Sequence, residues 1–304
     1  MLYFDTFSTH TSSGDMMQLQ PIRDSVVLDN STLDGRLSSA PSHFKENFKI
    51  HFLTQKMRSK EDEQFSHLCD RVARGQITAS DEEFFKSRVI ENPNERNNEM
   101  FKSGKLSIIV TTNKKREMIN SEKLAELLPD AEEFTCNSCD RVTNLPMRAK
   151  LSESEKSNLG KTGNLPTDLR LKVGAPVVIT SNHKKRKYKE DGLSNGARGY
   201  VQAIETDPKD RQRVLRVWVV FNDETIGRRY RAEHFHLREF FNPKHPLATP
   251  IEAERKTFAV GRGGVKMQRT NFPLCLAYAI TAHKCQVNYF ATSNLISITN
   301  LLLI

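Results

Sequence analysis

The strongest constraint on the fold is a change of hydrophobic period near residue 170. Upstream, apolar residues recur at helical spacing. In "KEDEQFSHLCDRVARGQ", Phe65, Leu68 and Val72 fall three and four apart, one face of an amphipathic helix that Gly75 is suited to end. "TASDEEFFKSRV" predicts a second helix, with Thr78 or Ser80 as its cap and acids in its first turn. The β-branched run "LSIIVTTN" (106–113) predicts a short buried strand. "KKREMINSEKLAELL" follows it with Met118, Ile119, Leu124, Leu127 and Leu128 on a helical period. "FKIHFLT", from Phe48, alternates as a half-buried strand. Strand, helix, helix, strand, helix is the order of an α/β layer on a mostly parallel sheet.

Downstream the period is two. "LKVGAPVVIT", "GARGYVQAIE", "LRVWVVFND" and "GRRYRAEHFHL" read as four short β-like runs, the pattern of a small barrel or sandwich. Gly174, Gly196 and Gly199 are expected to turn the chain between its strands. "GRGGVKMQR" (261–269) is expected to carry the chain back to the α/β layer. The resulting segments are 1–44, 45–170, a β insertion at 171–262, 263–286 and a tail at 287–304; no internal repeat is visible.

Lys and Arg outnumber Asp and Glu by 46 to 37, a net charge of +9 that suits a polyanionic partner through counterion release. The five cysteines are few and odd in number, which fits a reducing compartment better than a disulfide framework. Cys136 and Cys139 form one C-x-x-C without a second pair at zinc spacing, so no metal site is expected and a chance loop pair is the better reading. The N-terminus lacks the pattern of a signal peptide, and "LISITNLLLI" is about half the length that spans a bilayer. An intracellular, soluble protein is expected, without a membrane partner.

"NFPLCLAYAITAHKCQ" (271–286) delivers a hydroxyl, an imidazole and an ammonium from the end of an apolar strand; its plain alternative is a buried strand with a helix cap at Thr281. The segment resembles motif V of superfamily 1 DNA helicases of the Pif and RecD type, those of Helitron transposons included. Thr281, His283, Lys284 and Gln286 stand at the motif's places, with Cys285 where Ser is common. "GDMMQLQPI" resembles motif III, with Gln20 replacing a proline. The stretch from "FLTQKMRSKEDEQ" onward resembles motif IV and its helices. "SIIVTTNKKREMIN" is similar to the next strand and helix of the family, and "LRLKVGAPVVITSNH" with "GLSNGARGYV" to the opening of its SH3-like insertion.

This resemblance implies an α/β fold: an incomplete RecA-like motor, mostly the second RecA-like domain, carrying an SH3-like β insertion. Residues 1–44 would be a remnant of the first RecA-like domain and a linker. Gln18 and Arg58 would be the catalytic contacts to the ATP γ-phosphate, a guanidinium being suited to a phosphoryl group; the plainer reading of Arg58 is a surface ion pair. Thr112, Asn113, Thr281, His283, Lys284 and Gln286 would contact DNA. The intact family uses ATP and Mg²⁺ to move 5′ to 3′ along single-stranded DNA.

A P-loop needs G-x-x-x-x-G-K-(S/T). Glu155 stands five residues before Gly160-Lys161-Thr162, so this Gly-Lys-Thr is rejected. The acidic Mg²⁺ motif and motif VI are also missing from the text. The expectation is a helicase fragment, short of half its own motor, that neither binds ATP well nor hydrolyses it alone. The alternative is a non-catalytic single-strand-binding module derived from a helicase or transposon. "HKKRKYKED" adds Lys184, Lys185, Arg186 and Lys187, a nuclear import signal, a DNA-contacting loop or a solvated hairpin tip balanced by Glu190 and Asp191. A nuclear location is the corresponding expectation.

Overall fold

The computed structural model describes residues 63–87, 107–143, 162–260, 265–282 and 295–296. The strand expected from Phe48, together with Gln18 and Arg58, lies outside them. The chain divides into two compact units between Lys86 and Ser87.

In the first, α1 (Glu63–Ala73) and α2 (Ala79–Ser87) are the two helices read from the period. Leu68 is buried and Phe65 and Val72 half-buried, as the amphipathic spacing requires. Gly75 ends α1 at φ +67°, a left-handed conformation that costs glycine nothing. Thr78, rather than Ser80, caps α2: its hydroxyl accepts from Asp81 N at 3.3 Å and its own N–H donates to the Asp81 carboxylate at 3.0 Å. Arg71 then grips the same carboxylate with Nε and Nη2 at 2.8 and 2.5 Å, tying the helices together.

The second unit begins with β1 (Ser107–Val110) and α3 (Asn113–Leu127), again where the periodicity places them. Ile119, Leu124 and Leu127 form the buried face of α3, whereas Met118 is half exposed and off it. β1 is the centre of a small parallel sheet, flanked by β12 (Ala279–Thr281) and β13 (Leu295–Ile296). The parallel α/β layer expected from the sequence is therefore present among the described residues.

The rest is antiparallel. β5 (Pro176–Ile179), β6 (Arg198–Asp207), β7 (Asp210–Phe221), β8 (Thr249–Glu252) and β11 (Leu274–Leu276) form a five-stranded sheet in the order β11-β5-β6-β7-β8. β3 (Cys139–Val142), β10 (Val265–Asn271) and β9 (Glu254–Val260) form a second sheet, and β2 (Glu133–Asn137) pairs with β4 (Asp168–Lys172). Pairing thus runs past both ends of the expected 171–262 insertion. β2 and β3 join it from upstream, and β10 and β11 from within 263–286. The "GRGGVKMQR" segment enters an antiparallel pair, Val265 opposite Val260. Only at β12 does the chain return to the parallel sheet.

One β-like run is corrected. "GRRYRAEHFHL" forms two short helices, α5 (Arg228–Glu233) and α6 (Leu237–Phe240). The Asp191 carboxylate accepts the Arg229 and Tyr230 N–H groups at 3.0 and 2.9 Å, supplying from 38 residues away the cap that the local text lacks. Its apolar spacing is short enough to fit either period, and this contact decides it.

Gly174 and Gly196 do sit in turns with positive φ. Gly199 does not: it lies inside β6, and a Cβ there would come within 2.2 Å of the Val220 carbonyl oxygen and 2.8 Å of Phe221 Cα. It is glycine because β7 approaches too closely for a side chain. The apolar core is continuous through Leu171, Val201, Val217, Val219 and Leu274 to Ile108, Val110, Tyr278 and Ala279, so insertion and parallel sheet share it.

Candidate nucleic-acid interface

The carboxyl edge of the parallel sheet brings together sequence-distant polar residues. β12 runs parallel to β1 with Thr281 opposite Val110. Neighbouring strands lie about 4.8 Å apart, so Thr281 ends beside the turn that holds Thr111, Thr112 and Asn113. Thr112 and Asn113 are exposed and Thr281 half-buried. His283, Lys284 and Gln286 lie outside the described residues.

Thr112 leaves the strand in an extended conformation and caps α3, its hydroxyl accepting from Lys115 N at 3.3 Å. The Asn113 side-chain oxygen accepts from the buried Arg116 guanidinium at 2.9 Å, which fixes the orientation of its amide. The first turn of α3 contains no acidic residue and reads Asn-Lys-Lys-Arg. Cations at a helix N-terminus oppose the macrodipole by about 0.3–1 kcal/mol each. The combination is poor for the helix alone and good for an anion, since helix dipole, amide donors and ammonium groups attract one together.

A set of buried hydrogen bonds holds β12 in this register. Asn120, on α3, accepts from Ala279 N at 2.8 Å and donates to the carbonyls of Ala279 and Leu276 at 3.1 and 3.3 Å. Ile108 N donates to Tyr278 O at 2.8 Å. Ser107 Oγ donates to Ala277 O, and Arg198 of the insertion donates to Ser107 Oγ and, at 3.4 Å, to Ala277 O. Sequence reasoning missed Asn120, Ser107 and Arg198. The one local signal was an Asn at a buried position of an otherwise amphipathic helix. Tyr278 is fully buried, and burial pushes its phenol well above the ordinary range.

The basic run forms a single helical turn rather than a hairpin tip, α4 (Arg186–Glu190), with Lys185 as its first flanking residue. Lys184, Lys185, Arg186 and Lys187 are all exposed. Arg186 pairs with Glu190 at 2.8 Å, as a solvated loop would. Asp191, however, serves as the α5 cap, and Lys187 reaches Glu233 instead. Glu233 also accepts from the Tyr188 hydroxyl at 2.6 Å, and the Lys187 ammonium lies 4.7 Å from the Tyr188 ring centre. Lys187, then Tyr188, hold the Glu233 carboxyl below its usual range. This side of the insertion presents Lys185 and Lys187 over the one Tyr188 ring.

Cys136 is buried in β2, where desolvation raises its thiol to about 11, and Cys139 is exposed in β3. The pair therefore sits in strands, not in a loop. Among the described residues no cluster of His, Cys, Asp or Glu could hold a metal ion. Thr162 is fully buried, its hydroxyl donating to Leu165 O at 2.9 Å. A P-loop threonine faces the nucleotide's Mg²⁺, whereas Thr162 is fully buried. No described helix is long and apolar enough to cross a membrane.

No protein-family model matches the chain. It is 25% identical over 276 residues to the ATP-dependent DNA helicase Pif1 of Campylobacter jejuni, an alignment covering 90% of this chain and 53% of that protein. Among solved structures, Pif1 helicase from Candida albicans matches at 21% identity and TM-score 0.52, over 82% of this chain and 51% of its own. A Pif1 helicase from Bacteroides matches at 22% identity and TM-score 0.50, over 90% and 52%. The chain thus spans about half the length of the relatives it matches. In sequence and in fold, it is similar to the C-terminal part of Pif1-type superfamily 1 helicases.

Proposed function

We propose that this chain is the DNA-gripping part of a Pif1-type, ATP-dependent helicase, acting on single-stranded DNA with 5′ to 3′ polarity. The observation that carries the reading is the sheet edge where Thr281 meets Thr112, Asn113 and a cationic helix N-terminus. A strand phosphate placed there would take the Thr112 and Thr281 hydroxyls and the Asn113 and Lys114 amides as donors, with Lys114 and Lys115 supplying charge. The net charge of +9 and the name of the Campylobacter relative support the same polyanion.

ATP and Mg²⁺ are cofactors of the intact family in this reading. The residues described here would sense where the strand lies, and the chain by itself would bind DNA without turning ATP over. Gln18, Arg58, His283, Lys284 and Gln286 would complete the coupling apparatus.

The test is fluorescence anisotropy of a labelled single-stranded oligonucleotide titrated with the purified chain. Affinity should fall steeply between about 50 and 200 mM salt, and Lys114→Glu with Lys115→Glu should flatten that slope by about two charges. A slope the double variant leaves unchanged would remove the sheet edge from the interface. DNA-stimulated phosphate release by the wild-type chain would overturn the claim about turnover.

A further inference from the structure

A cavity of about 190 Å³ opens on the insertion where the link from β5 to α4 faces the link from β8 to β9. Ile179 and Leu193, both buried, give it an apolar floor. Tyr230 and His183 form an aromatic wall, their ring centres 5.7 Å apart and their planes inclined at 63°. Lys184, exposed, stands at the rim and opens the cationic run.

The polar groups in this cavity are of two kinds. His183 Nδ1 accepts from Lys185 N at 3.1 Å, so the neutral ring carries its proton on Nε2 and offers a donor. Desolvation lowers the His183 pKa, favouring that neutral form. Glu254 offers acceptor oxygens. It already receives Lys256 at 2.8 Å and Ser181 at 3.5 Å, and a carboxylate has about four lone-pair positions. A donor and an acceptor over an apolar floor, beside aromatic edges, suit a flat heteroaromatic ring with an amino group next to a ring nitrogen.

We infer that this cavity holds one unstacked adenine or cytosine of a single strand whose phosphates pass along Lys184, Lys185 and Lys187. The inference rests on the nucleic-acid reading above and adds a base preference to it. Phosphate contacts alone give none; a base edge read by hydrogen bonds does. Glu254 accepts from the exocyclic amine, His183 Nε2 donates to the ring nitrogen, and Tyr230 lines the side of the ring. Thymine, with a carbonyl where the amine stands, would set an oxygen against the Glu254 carboxylate.

The experiment compares the full chain's affinity for labelled homopolymers of dA, dC and dT. Ala253, exposed and at the cavity mouth, is replaced by Trp to plug it, and Glu254→Gln tests the acceptor separately. The wild type should favour dA and dC over dT by roughly tenfold. Ala253→Trp should bind all three like dT, and Glu254→Gln should narrow the preference. Equal wild-type affinity for all three overturns the base pocket while leaving DNA binding intact. If no homopolymer binds, the nucleic-acid reading fails, and saturation-transfer NMR with adenosine and thymidine decides the cavity. Transfer to adenosine alone then supports the pocket, and transfer to neither overturns it.

Discussion

Asn120 and Ala279 hold each other by a reciprocal pair of hydrogen bonds, the backbone amide donating to the Asn120 side-chain oxygen at 2.8 Å and the side-chain nitrogen to the Ala279 carbonyl at 3.1 Å. The two residues are 159 positions apart. Through this contact the helix that begins at Thr112 fixes the strand that ends at Thr281, and the two halves of the sheet edge become one surface.

Asn120→Ala should therefore act at a distance. It strips partners from the buried Ala279 amide, a loss of about 1–3 kcal/mol. Urea denaturation should show a lowered midpoint with an unchanged slope, and anisotropy should show weaker DNA binding although Asn120 is buried. Asn120→Asp keeps the acceptor but not the donor, so its defect should be of the same sign and differ in size. Wild-type midpoints for both variants would show that the lock is dispensable.

Arg269 is fully buried and makes a bidentate pair with Asp140, both bonds at 2.7 Å, with further donation to Leu165 O and Thr167 Oγ1 at 3.2 and 3.0 Å. It ties β10 to β3 and to the segment before β4. Asp140→Ala leaves a buried guanidinium short of its counter-charge and should cost about 3–5 kcal/mol. Replacing both partners by apolar residues, Arg269→Met with Asp140→Leu, should cost less than the single change. Thermal melts of the single and double variants compare the two directly.

Gly199→Ala should be among the most disruptive small changes in the chain. The added methyl meets the backbone of β7 at Val220 and Phe221, which side-chain movement does not relieve. A cost of about 2–3 kcal/mol is expected, at the upper end for overpacking. Trp218, the only tryptophan, is fully buried on β7 and donates to Glu205 at 3.1 Å. Its fluorescence should shift to the red in the variant at denaturant concentrations where the wild type still emits from a dry environment.

The Arg71 and Thr78 donors hold the Asp81 carboxyl well below its usual range. A depressed folded-state pKa stabilises above the unfolded value, about 3.9, and that stabilisation is lost as pH falls through and below it. Hydrogen exchange of the α2 amides should therefore quicken, relative to their intrinsic rates, from pH 5 to pH 3. Asp81→Asn should exchange faster at pH 5 and respond less to the same change. Equal pH responses in both proteins would show that the pair contributes nothing to the helix junction.

Much of the α/β half is legible from the text because its determinants are local. Leu68, Thr78 and Gly75 specify α1 and α2 by spacing, cap and stop, and the β-branched run before Thr112 specifies β1. β5, β6 and β7 follow from alternation. The "GRRYRAEHFHL" helices do not, because the carboxylate that caps them, Asp191, belongs to a different stretch of chain. Gly199 was recognised as special for the wrong reason, since the crowding atom belongs to β7.

The sequence by itself determined α1 to α3, β1 and β5 to β7, the excess of positive charge, and a motif order similar to Pif1-type helicases. Only the tertiary structure decided that β10 and β11 pair with the insertion, that Thr281 lies opposite Val110, and that Asn120 holds them there. Period and capping depend on residues a turn apart and can be read along the chain. A pairing between positions more than 150 apart depends on which of many apolar strands fit one another in the folded core, and that is settled in three dimensions.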